Sequence, residues 1–273
     1  KDLEGSVGQV LLAIPSLSRS QRRRIVDDLQ GSGIAVLQVP SVDDLTSGRA
    51  RIDALRPVAI EDLLGRDEVP ADPKLVSPVI RGAVVCVTGA GGSIGAELCR
   101  QILELSPARL ILLEHSEMAL YAIEQELRLV VPNGVVLQTV MGSANDPQLL
   151  RRLFTEHFVQ LVFHAAAYKH VPLVEANPLA GLSNNVGSTD QVCRAAVASN
   201  VAQVVLISTD KAVRPTNVMG ASKRLAELVV QAHSAQATNT CLSMVRFGNV
   251  LGSSGSVVPL FRRQIAAGGP ITL

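Results

Sequence analysis

From residue 83 to residue 247 the sequence alternates short apolar runs with longer segments of helical spacing. The apolar runs predict strands at 83–88, 109–114, 135–140, 160–164, 202–207 and 241–247. The segments between them predict helices at 92–105, 116–129, 146–157, 178–199 and 219–236. Strands that are apolar throughout and separated by long helices are typical of a parallel sheet covered on both faces. The sequence therefore predicts an α/β fold with a doubly wound, Rossmann-type parallel sheet.

A shorter α/β pattern precedes this alternation. Apolar runs at 9–14 and 34–39 predict two strands, and the segment between them has a serine cap, helical spacing and a glycine stop. The composition then shifts to charge, proline and glycine, which is typical of a linker. We predict a partial α/β unit at 1–50, a linker at 51–79 and a main domain at 80–273. Because the sequence ends in GGPITL, in what reads as mid-domain, we expect a C-terminal truncation.

Charge balance and cysteine usage narrow the classes of partner. Lys and Arg number 25 against 24 for Asp and Glu, so no excess of positive charge favours nucleic acid or an anionic membrane. The four cysteines stand singly in apolar runs, which indicates core thiols in a reducing cytoplasm and no metal site. No apolar run approaches the roughly 18 residues of a membrane span, so we expect no membrane contact by this chain.

The glycine-rich turn after the first main-domain strand is a candidate binding site. Gly89, Gly92 and Gly95 follow an apolar strand and open a helix, so a pyrophosphate could approach N–H groups at the positive helix end. Glu114 ends the next strand, where a carboxylate can accept hydrogen bonds from ribose hydroxyls. That carboxylate would repel a 2′-phosphate, and no Lys or Arg follows it before Arg128. The pattern predicts a dinucleotide and favours NAD, with NADP not excluded; glycines used only for tight packing are the alternative.

Five further segments, in chain order, resemble the successive signatures of one enzyme family. They are AAAYKHVPLVEANP (165–178), NNVGST (184–189), STDKAV (208–213), MGASK (219–223) and RFGNVLGSSGSVVPLF (246–261). With the glycine loop, they resemble the UDP-N-acetylglucosamine 4,6-dehydratases, extended short-chain dehydrogenases/reductases of bacterial polysaccharide, lipopolysaccharide and glycan synthesis. The resemblance runs from about Ile80 to the end, and the residues before it resemble longer, membrane-anchored members. It implies UDP-N-acetylglucosamine as substrate and a parent protein on the cytoplasmic face of the inner membrane.

The resemblance also implies further cofactor contacts. It adds Ser93, Ile94, Ala165, Ala166 and Lys223 to the three glycines and Glu114. The adenine end departs from the family pattern, because Ser143 stands where an aspartate is common and Asp146 is displaced from that position. The residue that contacts adenine therefore stays open.

The proposed reaction needs groups that move protons. Oxidation at sugar C4 makes the C5 proton acidic, and the C6 hydroxyl must then leave, so the site needs an acid and a base. The resemblance assigns Asp210 as the acid for the departing hydroxyl and Lys211 as the base for C5, within a Thr209–Asp210–Lys211 motif. A free lysine near pKa 10.4 must be lowered to act as a base near neutrality. A surface ion pair is the alternative reading of Asp210 and Lys211.

Position 219 is the main departure from the family. Most relatives have a tyrosine there, and Lys223, one helical turn on, binds the ribose and lowers the pKa of the phenol. Met219 has no titratable proton, which leaves two accounts. Either the protein has kept binding and lost activity, or the C4 proton leaves through Asp210 or an ordered water, with Thr209 assisting and Met219 shaping the pocket. Because Asp210 and Lys211 are both retained, we prefer the second account.

The resemblance places substrate contacts on four polar side chains: Lys169, Asn185, Arg246 and Asn249. Lys169 stands near His170 and Glu175, just after the fourth main-domain strand, and a surface role at a helix start is its alternative. For Asn185 a structural or water-holding role is an equal alternative. His164 precedes three alanines on an apolar strand, so we interpret it as a core histidine with satisfied hydrogen bonds.

Three functions remain open at this point. The preferred one is a dehydratase, a lyase; an epimerase of the same fold and a dinucleotide-binding sensor of weak activity are the alternatives. The helices predicted at 178–199 and 219–236 carry enough apolar surface to pair between subunits, so we also expect a homo-oligomer.

Overall fold

The computed structural model describes residues 9–12, 14, 21, 24–25, 28–29, 35–38, 56–57, 72–237, 239–250 and 257–271. The chain divides into two compact units, residues 1–71 and residues 72–273. The division falls inside the segment 51–79, which the sequence predicts to be a linker.

The first unit contains a three-stranded sheet. Strand β1 (Gln9–Leu12) pairs in parallel with β2 (Ala35–Gln38), and β2 pairs antiparallel with β3 (Arg56–Pro57). The two predicted strands are therefore present, each shorter than its prediction. Most of the helix predicted between them lies outside the described residues.

The second unit is a parallel α/β sheet with a helix in most of its connections. Its first half contains α1 (Pro73–Ile80), β4 (Val84–Thr88), α2 (Ser93–Glu104), β5 (Arg109–Glu114), α3 (Glu117–Arg128), β6 (Val136–Met141), α4 (Pro147–Glu156) and β7 (Leu161–His164). Its second half contains α5 (Val171–Ala176), α6 (Pro178–Leu182), a π-helical turn (Ser183–Gly187), α7 (Ser188–Ala198), β8 (Gln203–Thr209), a 3₁₀ turn (Asp210–Ala212), α8 (Val218–Ser234), β9 (Cys241–Phe247) and α9 (Val257–Ala266). Each predicted main-domain strand is present, within two residues at either end.

The order of the six strands is β6-β5-β4-β7-β8-β9, and every neighbouring pair is parallel. This confirms the predicted doubly wound Rossmann-type fold. The chain order reverses at β4, which lies between β5 and β7. In such sheets ligands bind at the carboxyl ends of the strands, beside the point of reversal.

Two apolar layers cover the sheet. Val85 and Val87 of β4 pack in one layer with side chains of α2 and α3, whereas Cys86 points into the other layer with side chains of α4, α7 and α8. Successive residues of a strand point to opposite faces, which explains why β4 is apolar throughout. Three cysteines are buried as expected, but Cys241 is exposed, because it begins a strand at the edge of the sheet.

Prolines and one π-helical turn account for the differences from the prediction. Helix α1 begins inside the predicted linker and ends one residue beyond it, with Pro73 in its first turn, where a missing N–H costs nothing. Helix α5 likewise has a proline in its first turn. The single helix predicted at 178–199 is two helices joined by the π-helical turn. Among the helices of the described residues, none is both long enough and apolar enough to cross a membrane.

Candidate active site

The glycine turn between β4 and α2 is closely packed. Gly89 has a φ of +68°, and a Cβ there would lie 2.7 Å from the backbone of Ala166, in the loop after β7. A Cβ at Gly95 would overlap the carbonyl oxygen of Gly89. Tight packing therefore explains two of the three glycines by itself. Gly92 is less constrained, because its nearest neighbour would be 3.3 Å away, and it faces a cavity.

This cavity, of about 490 Å³, lies between the start of α2 and the segment that follows β7. The α2 wall consists of Gly92, Ser93, Ile94 and Gly95. The opposite wall includes Ala165, Ala167, Tyr168, Lys169 and His170. Gly92 caps α2 without a side-chain hydrogen bond, because the cap residue itself has no side chain. A cavity with a positive helix end and a lysine on its walls can hold a phosphate group.

Glu114 connects the end of β5 to the glycine turn. Its carboxylate is buried and accepts hydrogen bonds from the N–H groups of Gly91 (3.1 Å), His115 (2.9 Å) and Ser116 (3.0 Å). Glu114 therefore fixes the glycine turn. Because a carboxylate can accept about four hydrogen bonds, the predicted contact with ribose would be a second role. The contact with Gly91 was not predicted. Gly91 also packs against α3, where a Cβ would lie 2.5 Å from that of Ala119.

Asp146, the aspartate nearest to the position where the family commonly contacts adenine, has a role in helix capping. Asp146 accepts hydrogen bonds from the N–H groups of Gln148 (2.9 Å) and Leu149 (3.1 Å), so it caps α4. The Ser143 hydroxyl accepts a hydrogen bond from the N–H of Asn145 at 3.1 Å. Helix capping thus explains why Asp146 stands in this loop.

The predicted acid and base lie together where β8 ends. Thr209 Oγ1 donates to Asp210 Oδ1 at 3.0 Å, and Lys211 Nζ lies 3.4 Å from the same oxygen. Lys211 Nζ also donates to Asn249 Oδ1 at 2.7 Å. The Thr209 hydrogen bond, and then the charge of Lys211, lower the pKa of Asp210. Asp210 is therefore a carboxylate at neutral pH, and it can act as an acid only after it has taken up a proton.

Space for a ligand remains beside this pair. More than half of the Asp210 side chain is exposed. Gly248, at the end of the neighbouring strand, brings no side chain against Asp210; a Cβ there would lie 3.6 Å from Asp210 Oδ2. Asn249 was predicted to bind substrate, and in the structure its amide holds the Lys211 ammonium group.

Met219 and Lys223 lie on the buried face of α8. Met219 is 4% exposed and Lys223 is 5% exposed. Burial lowers the pKa of Lys223 to about 8, and the charge of Glu227 opposes this shift. Gly220, between them, fixes the start of α8 against the turn that follows β8, because a Cβ there would overlap the carbonyl oxygen of Lys211. The MGASK motif thus packs directly on the acid–base pair.

Glu227, one turn beyond Lys223, was not singled out from the sequence. Its fully buried carboxylate accepts hydrogen bonds from Ser208 Oγ (2.6 Å), Arg224 (3.0 Å) and Arg246 Nε (2.7 Å). Burial alone would raise its pKa, but these donors prevail, Arg246 most strongly, and lower it to about 2. The signal was present in the sequence, because positions 219, 223 and 227 recur at the spacing of one helix face.

Two residues that were predicted to contact substrate have partners within the protein. Glu227 binds the guanidinium of Arg246, although 39% of the Arg246 side chain is exposed. Asn185 is 1% exposed, and its amide bonds to the backbone of Tyr168 (2.7 and 3.0 Å) and to Ser222 Oγ (2.9 Å). Both residues therefore have structural roles, which for Asn185 was the alternative reading.

Two further polar residues near the site, His164 and Glu175, also have partners. Buried His164 bonds to Thr88 Oγ1 (2.7 Å) and to Ser188 Oγ (3.2 Å), and burial lowers its pKa to about 3. It is a satisfied core histidine, as expected. Glu175 accepts a hydrogen bond from the N–H of Val218 at 2.7 Å, so it anchors the start of α8.

The site thus consists of two neighbouring parts of one sheet edge. The cavity lies at the ends of β4 and β7, and the acid–base pair lies at the ends of β8 and β9. Among the described residues, the cavity walls include Lys169 but do not include Asp210 or Lys211. Because β7 and β8 are parallel neighbours, their carboxyl ends, and with them the cavity and the pair, lie at the same edge of the sheet.

Comparisons with known proteins identify the family of this chain. A family profile described as "Polysaccharide biosynthesis protein" matches residues 85–273. The capsular polysaccharide biosynthesis protein CapD of Staphylococcus aureus is 42% identical over 98% of this chain and 45% of its own length. A UDP-glucose 4-epimerase of Rickettsia canadensis is 35% identical over 68% of this chain and 54% of its own length. The inverting UDP-N-acetylglucosamine 4,6-dehydratase of Campylobacter jejuni is 32% identical over 71% and 58%.

A solved structure shares the fold. A double mutant of DesIV, the dTDP-glucose 4,6-dehydratase of Streptomyces venezuelae, was solved with NAD and DAU bound. It is 25% identical with a TM-score of 0.58, over 69% of this chain and 64% of that chain. The chain spans about half the length of the curated relatives it matches. Because the family profile covers most of the chain, the chain belongs to the polysaccharide biosynthesis protein family.

Proposed function

We propose that this protein is a nucleotide-sugar dehydratase that converts UDP-N-acetylglucosamine to the UDP-4-keto-6-deoxy sugar. One observation carries the proposal: Asp210 and Lys211 lie side by side at the carboxyl edge of the sheet, next to the cavity with the glycine turn. Dehydratases and epimerases of nucleotide sugars both occur among the relatives, and one relative carries the name of this reaction. An elimination needs an acid and a base together, which favours the dehydratase.

The residues present fit NAD. Gly92, which has no side chain, faces the cavity at the start of α2, where N–H groups of the helix can meet a phosphate group. We assign Glu114 and Lys223 to the ribose hydroxyls, and the carboxylate of Glu114 would disfavour the extra phosphate of NADP. When bound, NAD supplies the oxidant for sugar C4 and the reductant for C6. A solved relative of the same fold contains NAD.

The proton steps need no phenol at position 219. Asp210, ionised and oriented by Thr209, takes the proton of the C4 hydroxyl as C4 becomes a ketone. The ammonium group of Lys211 first loses a proton to solvent, and the amine then removes the C5 proton, which the ketone has made acidic. The protonated Asp210 then gives its proton to the C6 hydroxyl, which leaves as water. Lys211 returns a proton to C5 and regains one from solvent, so both residues return to their starting states.

Mass spectrometry tests this function directly. The protein, in the full length that its gene encodes, is incubated in D₂O with NAD and UDP-N-acetylglucosamine. We expect a product that has lost one water and gained one deuterium at C5, which Lys211 would deliver from solvent. Asp210→Asn and Lys211→Met should each abolish the product while NAD still binds.

Two other results would replace the proposal. An unchanged mass with inverted stereochemistry at C4 would indicate an epimerase, and the Rickettsia relative makes this the second candidate. NAD binding without any conversion of the sugar would indicate a sensor, and Met219 would then mark the loss of catalysis.

The remaining assignments extend the same proposal. Lys169, on the cavity wall, would contact the diphosphate or the sugar, and Asn249 would contact the substrate while it holds Lys211. We place the reaction in the cytoplasm, in agreement with four free cysteines. Homo-oligomer formation through α7 and α8 is also proposed.

A further inference from the structure

Glu227 is a buried carboxylate at the junction of three elements. It lies on α8, and its donors come from β8, β9 and α8 itself. Ser208 and Arg246 are direct partners in the register of β8 and β9. One oxygen, Glu227 Oε1, accepts from both of these side chains. Glu227 therefore joins two neighbouring strands to the helix that packs on them.

The residues of this junction lie just before the acid–base pair and Asn249 in the sequence. Ser208 comes immediately before Thr209, Asp210 and Lys211, and Arg246 comes shortly before Gly248 and Asn249. One further pair, Thr209 and Phe247, continues the ladder, and the two strands end there. Beyond the ladder, the hydrogen bond from Lys211 Nζ to Asn249 joins the two chains again. The acid–base pair is thus held between Glu227 on one side and Asn249 on the other.

A negative charge at this position is needed electrostatically. Arg224 and Arg246 both point at the Glu227 carboxylate. An amide at position 227 would keep the shape but leave two guanidinium groups close together without a counter-charge. The end of β9, the edge strand that carries Arg246, would then move away. Catalytic groups need placement to within about 0.5 Å, so a small shift of β9 is enough to impair the reaction.

We propose that Glu227 is a positioning residue for the acid–base pair: it fixes the ends of β8 and β9 so that Asn249 holds the Lys211 ammonium group beside Asp210. This inference rests on the proposed function. It goes beyond a stabilising ion pair, because it predicts an effect on turnover that loss of folded protein does not explain.

The test compares Glu227→Gln with a matched control in the full-length protein. Glu126→Gln makes the same change in a carboxylate that also holds an arginine, Arg100, but between α2 and α3. With rates normalised to bound NAD, Glu227→Gln should lower kcat by about 100-fold, the cost of a displacement near 1 Å, and change KM by less than about threefold. Glu126→Gln should leave both unchanged.

A second comparison separates positioning from general destabilisation. Arg246→Gln should lower kcat as Glu227→Gln does, and the double variant should be no worse than either single one, because both remove the same link. Wild-type kcat in Glu227→Gln would overturn the proposal. The proposal would also be overturned if the fold-decrease of kcat in the double variant equalled the product of the two fold-decreases in the single variants.

Hydrogen exchange provides a readout that does not depend on the reaction. Exchange in peptides spanning 203–211 and 241–249 should be faster in Glu227→Gln than in the wild type, and unchanged in Glu126→Gln. If the wild type makes no keto sugar, the proposed function fails, and these peptides still decide whether Glu227 holds the two strand ends. Unchanged exchange in both peptides would overturn the inference in either case.

Discussion

Lys223 shows how one buried side chain links binding to pH. In the proposed NAD complex its ammonium group donates to ribose hydroxyls more strongly than the neutral amine would, and burial lowers its pKa to about 8. If NAD binds the protonated form, binding must raise this pKa. The affinity for NAD should then be constant below pH 8 and fall above it, by up to about tenfold per pH unit.

Calorimetry of NAD binding checks this prediction. At pH 8 about half of the Lys223 side chains are neutral, so binding should take up about half a proton, measured in buffers of different ionisation enthalpy. The Lys223→Met variant should bind NAD more weakly, and its binding should involve no proton uptake at position 223. An affinity that does not change between pH 7 and pH 9 would show that Lys223 does not contact the ribose as a cation.

At the scale of elements, the contact between α8 and the turn after β8 organises the site. Gly220 allows this contact, since a Cβ at that position would overlap the carbonyl oxygen of Lys211. Gly220→Ala should therefore separate the two elements and lower the free energy of unfolding by about 1–3 kcal/mol, as overpacking does. Gly248→Ala is the control, because its Cβ would meet ordinary contact distances, and its change should stay within about 0.5 kcal/mol.

Urea denaturation at neutral pH gives both free energies. Kinetics with UDP-N-acetylglucosamine should show a lower kcat for Gly220→Ala, since the Lys211 backbone must move. Equal stability of Gly220→Ala and the wild type would mean that the two elements are not in the contact described.

The same elements show what the sequence could predict. Apolar runs and helical spacing locate the main-domain strands and the α8 segment, because burial on both faces leaves a strong pattern. The break at Ser183–Gly187 has no such pattern, since a π-helical turn follows from the tertiary hydrogen bonds of Asn185. The link between Arg246 and Glu227 escaped the sequence for a similar reason, because the two residues are 19 positions apart and only the packing of α8 against β9 brings them together.

At the scale of the whole molecule, the outer face of α8 predicts self-association. Ala221, Leu225, Leu228 and Ala232 recur at spacings of four, three and four, which is the seam of a helix pair. Leu225 and Leu228 are 45% and 42% exposed, although they lie beside a well-packed core. Val197 on the neighbouring helix α7 is also exposed. A second copy of the chain, with the same stripe, is the occupant that this self-complementary spacing fits.

The double change Leu225→Glu with Leu228→Glu should convert a dimer or larger assembly to monomers, because facing carboxylates repel and lose the apolar contact. Light scattering after size-exclusion chromatography measures the mass. Met118→Glu on α3, a side chain that is 80% exposed, is the control and should leave the mass unchanged. A wild type that is monomeric at micromolar concentration would contradict self-association, and a double variant of unchanged mass would place the interface elsewhere.

Helix α8 also carries Lys223 and Glu227 on its inner face. Pairing would therefore stiffen the helix that holds the site, so kcat should fall when the assembly is lost.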